Sequence, residues 1–245
     1  MHPILFKIGN LTIYTYGTLF YIDILASLYL LSIYYKKFID TSFDSIFNSF
    51  IILLLSMYLG GKIGYSIFNE TSLDSFIIST INPFEGGLTI IGAIFGGILG
   101  VVLSAKIHKL DTLRLLDTFS FIAPFSIFIG RIGCLMAGCC YGKPSTWGIE
   151  LHGCIRYPTQ LFESILSLFI FIYFLYSLKG TNQTRGIYLF KFLILYGIVR
   201  FFVEYFRESQ IIFLSLSLAQ IFSLFMITTG LIGIILLKRK GERKV

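Results

Sequence analysis

Charged residues are too few in this chain to cover the surface of a water-soluble domain. They make up 13% of its 245 residues, against 56% hydrophobic ones. With a mean hydropathy of +0.82, lipid must be the solvent for most of the molecule. Cysteine is also sparse, and four residues do not make a disulfide scaffold. No long linker, low-complexity tract or visible internal repeat interrupts the chain, so residues 1–245 read as one transmembrane domain. The missing repeat argues against the duplicated architecture of many transporters. A cleavable signal is not expected: the first apolar run is too long, and no small-residue cleavage site follows it. The formal net charge of +7 would suit nucleic acid only on a solvated basic face. Here the charges lie between apolar runs, which points to a membrane surface and to no nucleic-acid partner.

Crossing a hydrocarbon core of roughly 30 Å takes about 20 apolar residues as helix. Seven stretches qualify: 11–35, 43–68, 87–105, 115–138, 160–178, 186–206 and 218–237. They are continuously apolar rather than alternating, which excludes the strands of a membrane barrel. The expected fold is therefore all-α and polytopic, with about seven transmembrane helices. One set of connections carries Lys36, Lys37, Lys106, Lys109, Arg114, Lys179, Arg185, Lys238, Arg239, Lys240, Arg243 and Lys244. The alternate set carries Lys7, Lys143, Arg156 and Arg207. Basic residues favour the cytoplasmic side, so the C-terminus is expected in the cytoplasm and the N-terminus outside.

An ionisable side chain at mid-span costs about 2.5–3.5 kcal/mol on insertion scales, so each one calls for a reason. The expected orientation puts Tyr16, Lys62, Arg131, Glu163, Arg200 and Glu204 at the outer-leaflet level. Lys191 and Asp117 fall near inner ends, where snorkelling or capping accounts for them, and Asp23 can pair with a neighbour. Arg200 and Glu204 are four residues apart and share a helix face, with Tyr196 on the same stripe; structure and function are both open there. Two arginines at one depth suit a phosphate, because a guanidinium offers forked donors. The inference is an anionic-lipid headgroup site. Gly92, Gly96, Gly97 and Gly100 read as a close-packing surface of the third span. Gly86 and Gly87, at its outer end, could also let backbone amides approach a ligand.

Several segments, in order, resemble the prolipoprotein diacylglyceryl transferase family. Gly130-Arg131-Ile132-Gly133, running on to Tyr141-Gly142, is similar to the family signature G-R-x-G-N-F-x-N-x-E-x-x-G. Tyr16-Gly17 and Gly86-Gly87-Leu88-Thr89 with Gly92 match earlier positions. Arg156-Tyr157-Pro158-Thr159-Gln160-Leu161-Phe162-Glu163 resembles R-H-P-S-Q-L-Y-E. Arg200 to Arg207 resembles R-x-x-x-E-x-x-R, and Gln220-Ile221 with Ser223 echoes the last span. The resemblance implies transfer of a diacylglyceryl group from phosphatidylglycerol to the lipobox cysteine of a prelipoprotein signal peptide, in the bacterial plasma membrane. It implies that Arg131 and Arg200 hold the phosphate and that Glu204 orients Arg200 or a hydroxyl. Tyr16 and Tyr196 would line the cavity, Gly130 and Gly133 the substrate seat, and Gln160 and Glu163 would fix the loop entering the fifth span. No metal or cofactor is implied.

The chain departs from that pattern at chemically important places. Ile91 stands at the family's histidine, and the signature's Asn, Asn and Glu fall on Cys134, Ala137 and Cys139. Four readings are open for Cys134, Cys139, Cys140 and Cys154: small packing residues, an outer-face disulfide, a reactive thiol near Arg131, or a metal site lacking clear four-ligand spacing. His152 is a candidate substitute base on the following loop. Two rival functions accompany the transferase reading. One is a related transferase acting on another lipid-linked acceptor; the other is a non-enzymatic anionic-lipid binder or transporter.

Overall fold

The computed structural model describes every residue except 1–2, 10, 71, 83–86, 152, 179–183, 209–210, 214 and 243–245. Among the described residues the helices are α1 (Thr15–Tyr34), α2 (Phe43–Asn69), α3 (Leu73–Ile81), α4 (Ile90–Ile107), α5 (Thr112–Ala137), α6 (Thr159–Ser177), α7 (Ile187–Glu204) and α8 (Leu218–Glu242). Three small antiparallel hairpins decorate them: β1 (Ile4–Ile8) with β2 (Leu11–Tyr14), β3 (Pro144–Leu151) with β4 (Cys154–Arg156), and β5 (Ile211–Phe213) with β6 (Leu216–Ser217).

Among the described residues six helices (α1, α2, α4, α5, α6 and α8) are long and apolar enough to cross a membrane. α7 has 18 residues and is as apolar as its neighbours, but it carries three charges, Lys191, Arg200 and Glu204. The molecule is a multi-pass helical membrane protein. Its side chains confirm the solvent: Tyr21, Leu25 and Tyr29 of α1 are each more than 60% exposed, a cost in water and none in lipid.

Two expected spans begin later than their apolar runs. Residues 11–14 belong to β2, paired with β1 through a turn in which Gly9 takes φ 57°, and the helix starts at Thr15. Residues 87–89 are not helical, because the amide of Thr89 donates to the Gly61 carbonyl at 3.0 Å. The chain is thereby held extended until Ile90. The short α3 was not among the expected elements. It is capped by Ser72, whose hydroxyl accepts from the Ser75 amide at 3.2 Å.

The chain divides into two compact units, Met1–Lys37 with Asp117–Val245, and Phe38–Leu116. In the second, α2 and α4 pack backbone to backbone. A methyl on Gly60 would meet the Gly92 carbonyl and come within 2.8 Å of the Gly96 Cα, and one on Gly96 would meet the Ser56 carbonyl. Close approach of this kind maximises dispersion where lipid removes the hydrophobic drive between helices. Ser104 and Ser49 add a buried hydroxyl pair at 2.5 Å. Lys62 does not reach out to a headgroup level by snorkelling: it is 2% exposed and donates to the Ser79 and Asn82 carbonyls, at 3.1 and 2.8 Å, closing α3.

In the first unit, Phe121, Phe174 and Tyr188 form a fully buried aromatic cluster of α5, α6 and α7, with centroids 5.2–6.4 Å apart. Asp117 caps α7: its carboxylate accepts from the amides of Gly186 and Leu189, the latter at 2.9 Å. Two otherwise unsatisfied donors of a helix start are thus met by a negative charge. Asp23 accepts from Ser27, which also bonds Ser126 of α5.

Candidate functional site

Four helix ends in the first unit bring an ionic network together. Arg131, near the end of α5, places Nη2 2.8 Å from Glu163 Oε1 in the first turns of α6. Arg200 of α7 approaches the other oxygen of the same carboxylate, Nη1 to Oε2 at 3.5 Å. Arg200 Nη2 also meets Glu204 Oε2 at 2.6 Å, one turn further along α7. The Tyr196 hydroxyl donates to Glu163 Oε1 at 2.7 Å. Ser217, at the start of α8, donates to Glu204 Oε1 at 3.0 Å. The four charges sum to zero, which is what makes so many ionised groups tolerable at this depth.

Burial is unequal across the network, and that inequality matters chemically. The Glu163 and Glu204 side chains are 2% and 4% exposed, whereas Arg131 and Arg200 are 20% and 15% exposed. The carboxylates are therefore sealed beneath, while both guanidinium groups retain an open side. Each guanidinium has five donors in a planar fork, and the ion pairs occupy only part of that fork. An arrangement of this kind can present two cations to one anionic group.

Of the other expected site residues, Tyr16, Gly130, Gly133 and Gln160 belong to the same unit as the network. Tyr16, in the first turn of α1, is 47% exposed and lies against Gly133. A Cβ there would come 3.0 Å from the Tyr16 ring. Gly130 faces open space, with no described atom within 4 Å of an added Cβ. Gln160 holds the loop ahead of α6, donating from Nε2 to the Cys139 carbonyl at 2.7 Å, while Glu163 is directed to the arginines. Gly87 lies in the other unit, where the Tyr65 ring sits 2.7 Å from a hypothetical Cβ. Gly86 and His152 lie outside the described residues.

The cysteines carry free thiols, partly buried. Cys140 stands just beyond α5, where a hydrogen bond from the Cys134 thiol draws its own thiol down to about 5. Burial opposes that shift, and Arg207 and Arg131 assist it. Burial pushes the Cys139 thiol up.

Two contacts were not assigned from the sequence, although Gln220 and Thr159 stand within the resembling segments. Ser217 with Gln220 forms a reciprocal cap on α8, with amide-to-side-chain bonds of 3.0 and 3.3 Å. The spacing Ser217-x-x-Gln220 before an apolar run carried that signal. Thr159 donates to the Cys140 carbonyl at 3.1 Å, and nothing in the local pattern announces that contact.

Apolar helices crossing lipid, with a neutral arginine–carboxylate network set among their ends, define a multi-pass membrane protein with a polar site at helix termini. Comparison with known proteins places it further. The family model for prolipoprotein diacylglyceryl transferase matches residues 3–236. Phosphatidylglycerol–prolipoprotein diacylglyceryl transferase 2 of Clostridium perfringens is 32% identical, over 100% of this chain and 98% of its own length. The phosphatidylglycerol–prolipoprotein diacylglyceryl transferase of Clostridium tetani is 35% identical, over 94% and 96% respectively. That of Wolbachia pipientis is 31% identical, over 95% and 93%. The chain belongs to the prolipoprotein diacylglyceryl transferase family.

Proposed function

We propose that this protein transfers a diacylglyceryl group from phosphatidylglycerol to the lipobox cysteine thiol of prelipoproteins, at the outer leaflet of the bacterial plasma membrane. Full-length similarity to relatives named for this reaction supports the substrates. The observation that carries the mechanism is the shared carboxylate: Arg131 and Arg200 both meet Glu163, so their guanidinium groups stand close enough to grip one phosphate.

In this reading the acceptor sulfur attacks the glyceryl carbon, the carbon–oxygen bond to phosphate breaks, and glycerol phosphate leaves with the bonding electrons. The thiol proton ends on the departing phosphate or on water. Charge builds on the phosphate oxygens as the bond breaks, and two fixed guanidinium groups stabilise it without reorganising. Glu163 and Glu204 hold those groups in place, and Tyr196 and Ser217 hold the carboxylates. Tyr16, Gly130 and Gly133 form the side through which the lipid approaches. The whole chain acts as one transmembrane domain, with α7 as the seventh crossing and its Arg200 and Glu204 paired with each other, with Glu163 of α6 and with Ser217 ahead of α8. The N-terminus lies outside and the C-terminus in the cytoplasm.

The test is direct. Purified protein incubated with phosphatidylglycerol and a lipobox peptide should add the mass of one diacylglyceryl group to the peptide. No addition, with a relative active alongside, overturns the assignment. Arg131→Ala and Arg200→Ala should each lower transfer by roughly 100-fold or more, the scale for removing one oxyanion donor, with membrane insertion intact.

A further inference from the structure

Three of the four cysteines meet at one point. The Sγ atoms of Cys134, Cys139 and Cys140 all lie within 4.8 Å of one another. A thiolate–zinc bond of about 2.3 Å puts neighbouring sulfurs about 4 Å apart. Side-chain rotation of about an ångström therefore closes the three sulfurs around a single ion. Cys154 stands apart from the group, its thiol directed to the Leu151 carbonyl at 3.7 Å.

The backbone is bent to make this meeting happen. Cys134 lies in the last turn of α5, and Gly138 ends that helix with φ 72°. The Cys139 amide then turns back to the Cys134 carbonyl at 3.1 Å, and its thiol follows at 3.6 Å. Cys140 itself has φ 61°, a left-handed conformation that costs a side-chain-bearing residue of order 1–3 kcal/mol. Two buried side chains hold the strained turn from α6, Gln160 on the Cys139 carbonyl and Thr159 on the Cys140 carbonyl. Packing alone needs no such device, and a disulfide uses two sulfurs rather than three. Ligands preorganised by buried hydrogen bonds are what a metal site requires. Arg131 and Arg207 stand close enough to act on the charge of Cys140, which suits the residual negative charge of three thiolates around a divalent ion.

We propose that Cys134, Cys139 and Cys140 form a three-thiolate site for one zinc-class metal ion, whose fourth position takes the acceptor thiol. Three protein ligands with one open position is the pattern of catalytic rather than structural zinc, and an ion-bound thiol is deprotonated outright. The second half of the proposal rests on the transfer reaction above. The acceptor thiol binds the ion as thiolate and releases its proton to water. Its sulfur then forms the bond to the glyceryl carbon as glycerol phosphate departs and takes up a proton, and the thioether product leaves the ion's fourth position open again. The site lies beside the arginines: Cys134 follows Arg131 by one turn of α5, and Gln160, which holds the Cys139 carbonyl, precedes Glu163 by one turn of α6.

Titrating reduced, purified protein with cadmium chloride tests the site without any activity. The expected result is one ion per chain, a charge-transfer absorption of three thiolates, and competition by zinc. Cys134→Ser, Cys139→Ser and Cys140→Ser should each weaken binding by more than about 100-fold, beyond the loss for an outer-shell change. Cys154→Ser should leave binding unchanged, and circular dichroism checks that each variant folds. Non-saturable binding, indifference to the three substitutions, or a metal-free protein with two of the three joined as a disulfide overturns the proposal. Stripping the ion with a chelator should lower transfer to the lipobox peptide by about 100-fold, the scale of a catalytic metal's surroundings, and zinc should restore it. Full transfer by stripped protein overturns the thiol-activating role and leaves the transferase reading standing. Tight cadmium binding by a protein that transfers nothing when zinc-loaded overturns the transferase reading, and the fourth-ligand role with it.

Discussion

Glu163 is the residue on which the charge network turns. It is buried, and both arginines and the Tyr196 hydroxyl meet on its two oxygens. Removing one partner of a buried ionic cluster leaves uncompensated charge in a medium that cannot solvate it. Glu163→Gln is thus expected to destabilise the protein by roughly 3–5 kcal/mol, measured as thermal unfolding in detergent, and to lower transfer as well. An unchanged unfolding midpoint would mean that the arginines find their compensation elsewhere. Gly130 poses the opposite case. Nothing described lies within 4 Å of a Cβ built there, so packing does not demand glycine, and Gly130→Ala should stabilise α5 by up to about 1 kcal/mol through helix propensity. If that space receives the lipid, the same variant loses transfer while becoming more stable. Equal activity in variant and parent would remove Gly130 from the substrate seat.

At the scale of elements, α2 and α4 show how glycine replaces the hydrophobic effect within lipid. Gly60, Gly92 and Gly96 place backbone against backbone, and a side chain on Gly96 has the Ser56 carbonyl in its way. The obstruction is backbone, which cannot rotate aside, so the two helices must separate. Gly96→Ala should cost about 1–3 kcal/mol, the usual scale of overpacking. The contrast with Gly130→Ala, measured in the same unfolding assay, separates a packing glycine from one that faces open space. The glycine spacing was legible in the sequence, as was the capping position of Asp117. The late start of α1 was not, and an irregular opening of the third span was allowed without its length being fixed, because an apolar run records what lipid accepts and not which backbone partner competes for its amides. The hydrogen bond from Thr89 to Gly61 decides the start of α4, and its partner is 28 residues away.

For the whole molecule the topology turns on α7. Six helices qualify by length and apolarity, and α7 is held back by three charges. Arg200 and Glu204 neutralise each other and reach Glu163 and Ser217, while Lys191 lies over the rings of Tyr173 and Tyr188. Paired in this way, α7 can cross at far lower cost than its composition implies. A reporter that works only outside the cytoplasm should be silent after Lys37, active after Lys143 and silent at the C-terminus. An active C-terminal fusion with the other two unchanged would reduce the crossings to six. A uniformly inverted pattern would refute the orientation given by the basic connections.

By itself the sequence determined the solvent, the helical class and the family, because lipid demands long apolar runs and motifs in order survive without geometry. It also marked Arg131, Arg200 and Glu204 as residues whose cost in lipid calls for a reason. Only the tertiary structure decided that Glu163 serves both arginines, that Lys62 closes a helix end, and that three cysteines share one point. Those facts depend on distances between helices and on a left-handed turn at Gly138 and Cys140, neither of which a linear pattern records.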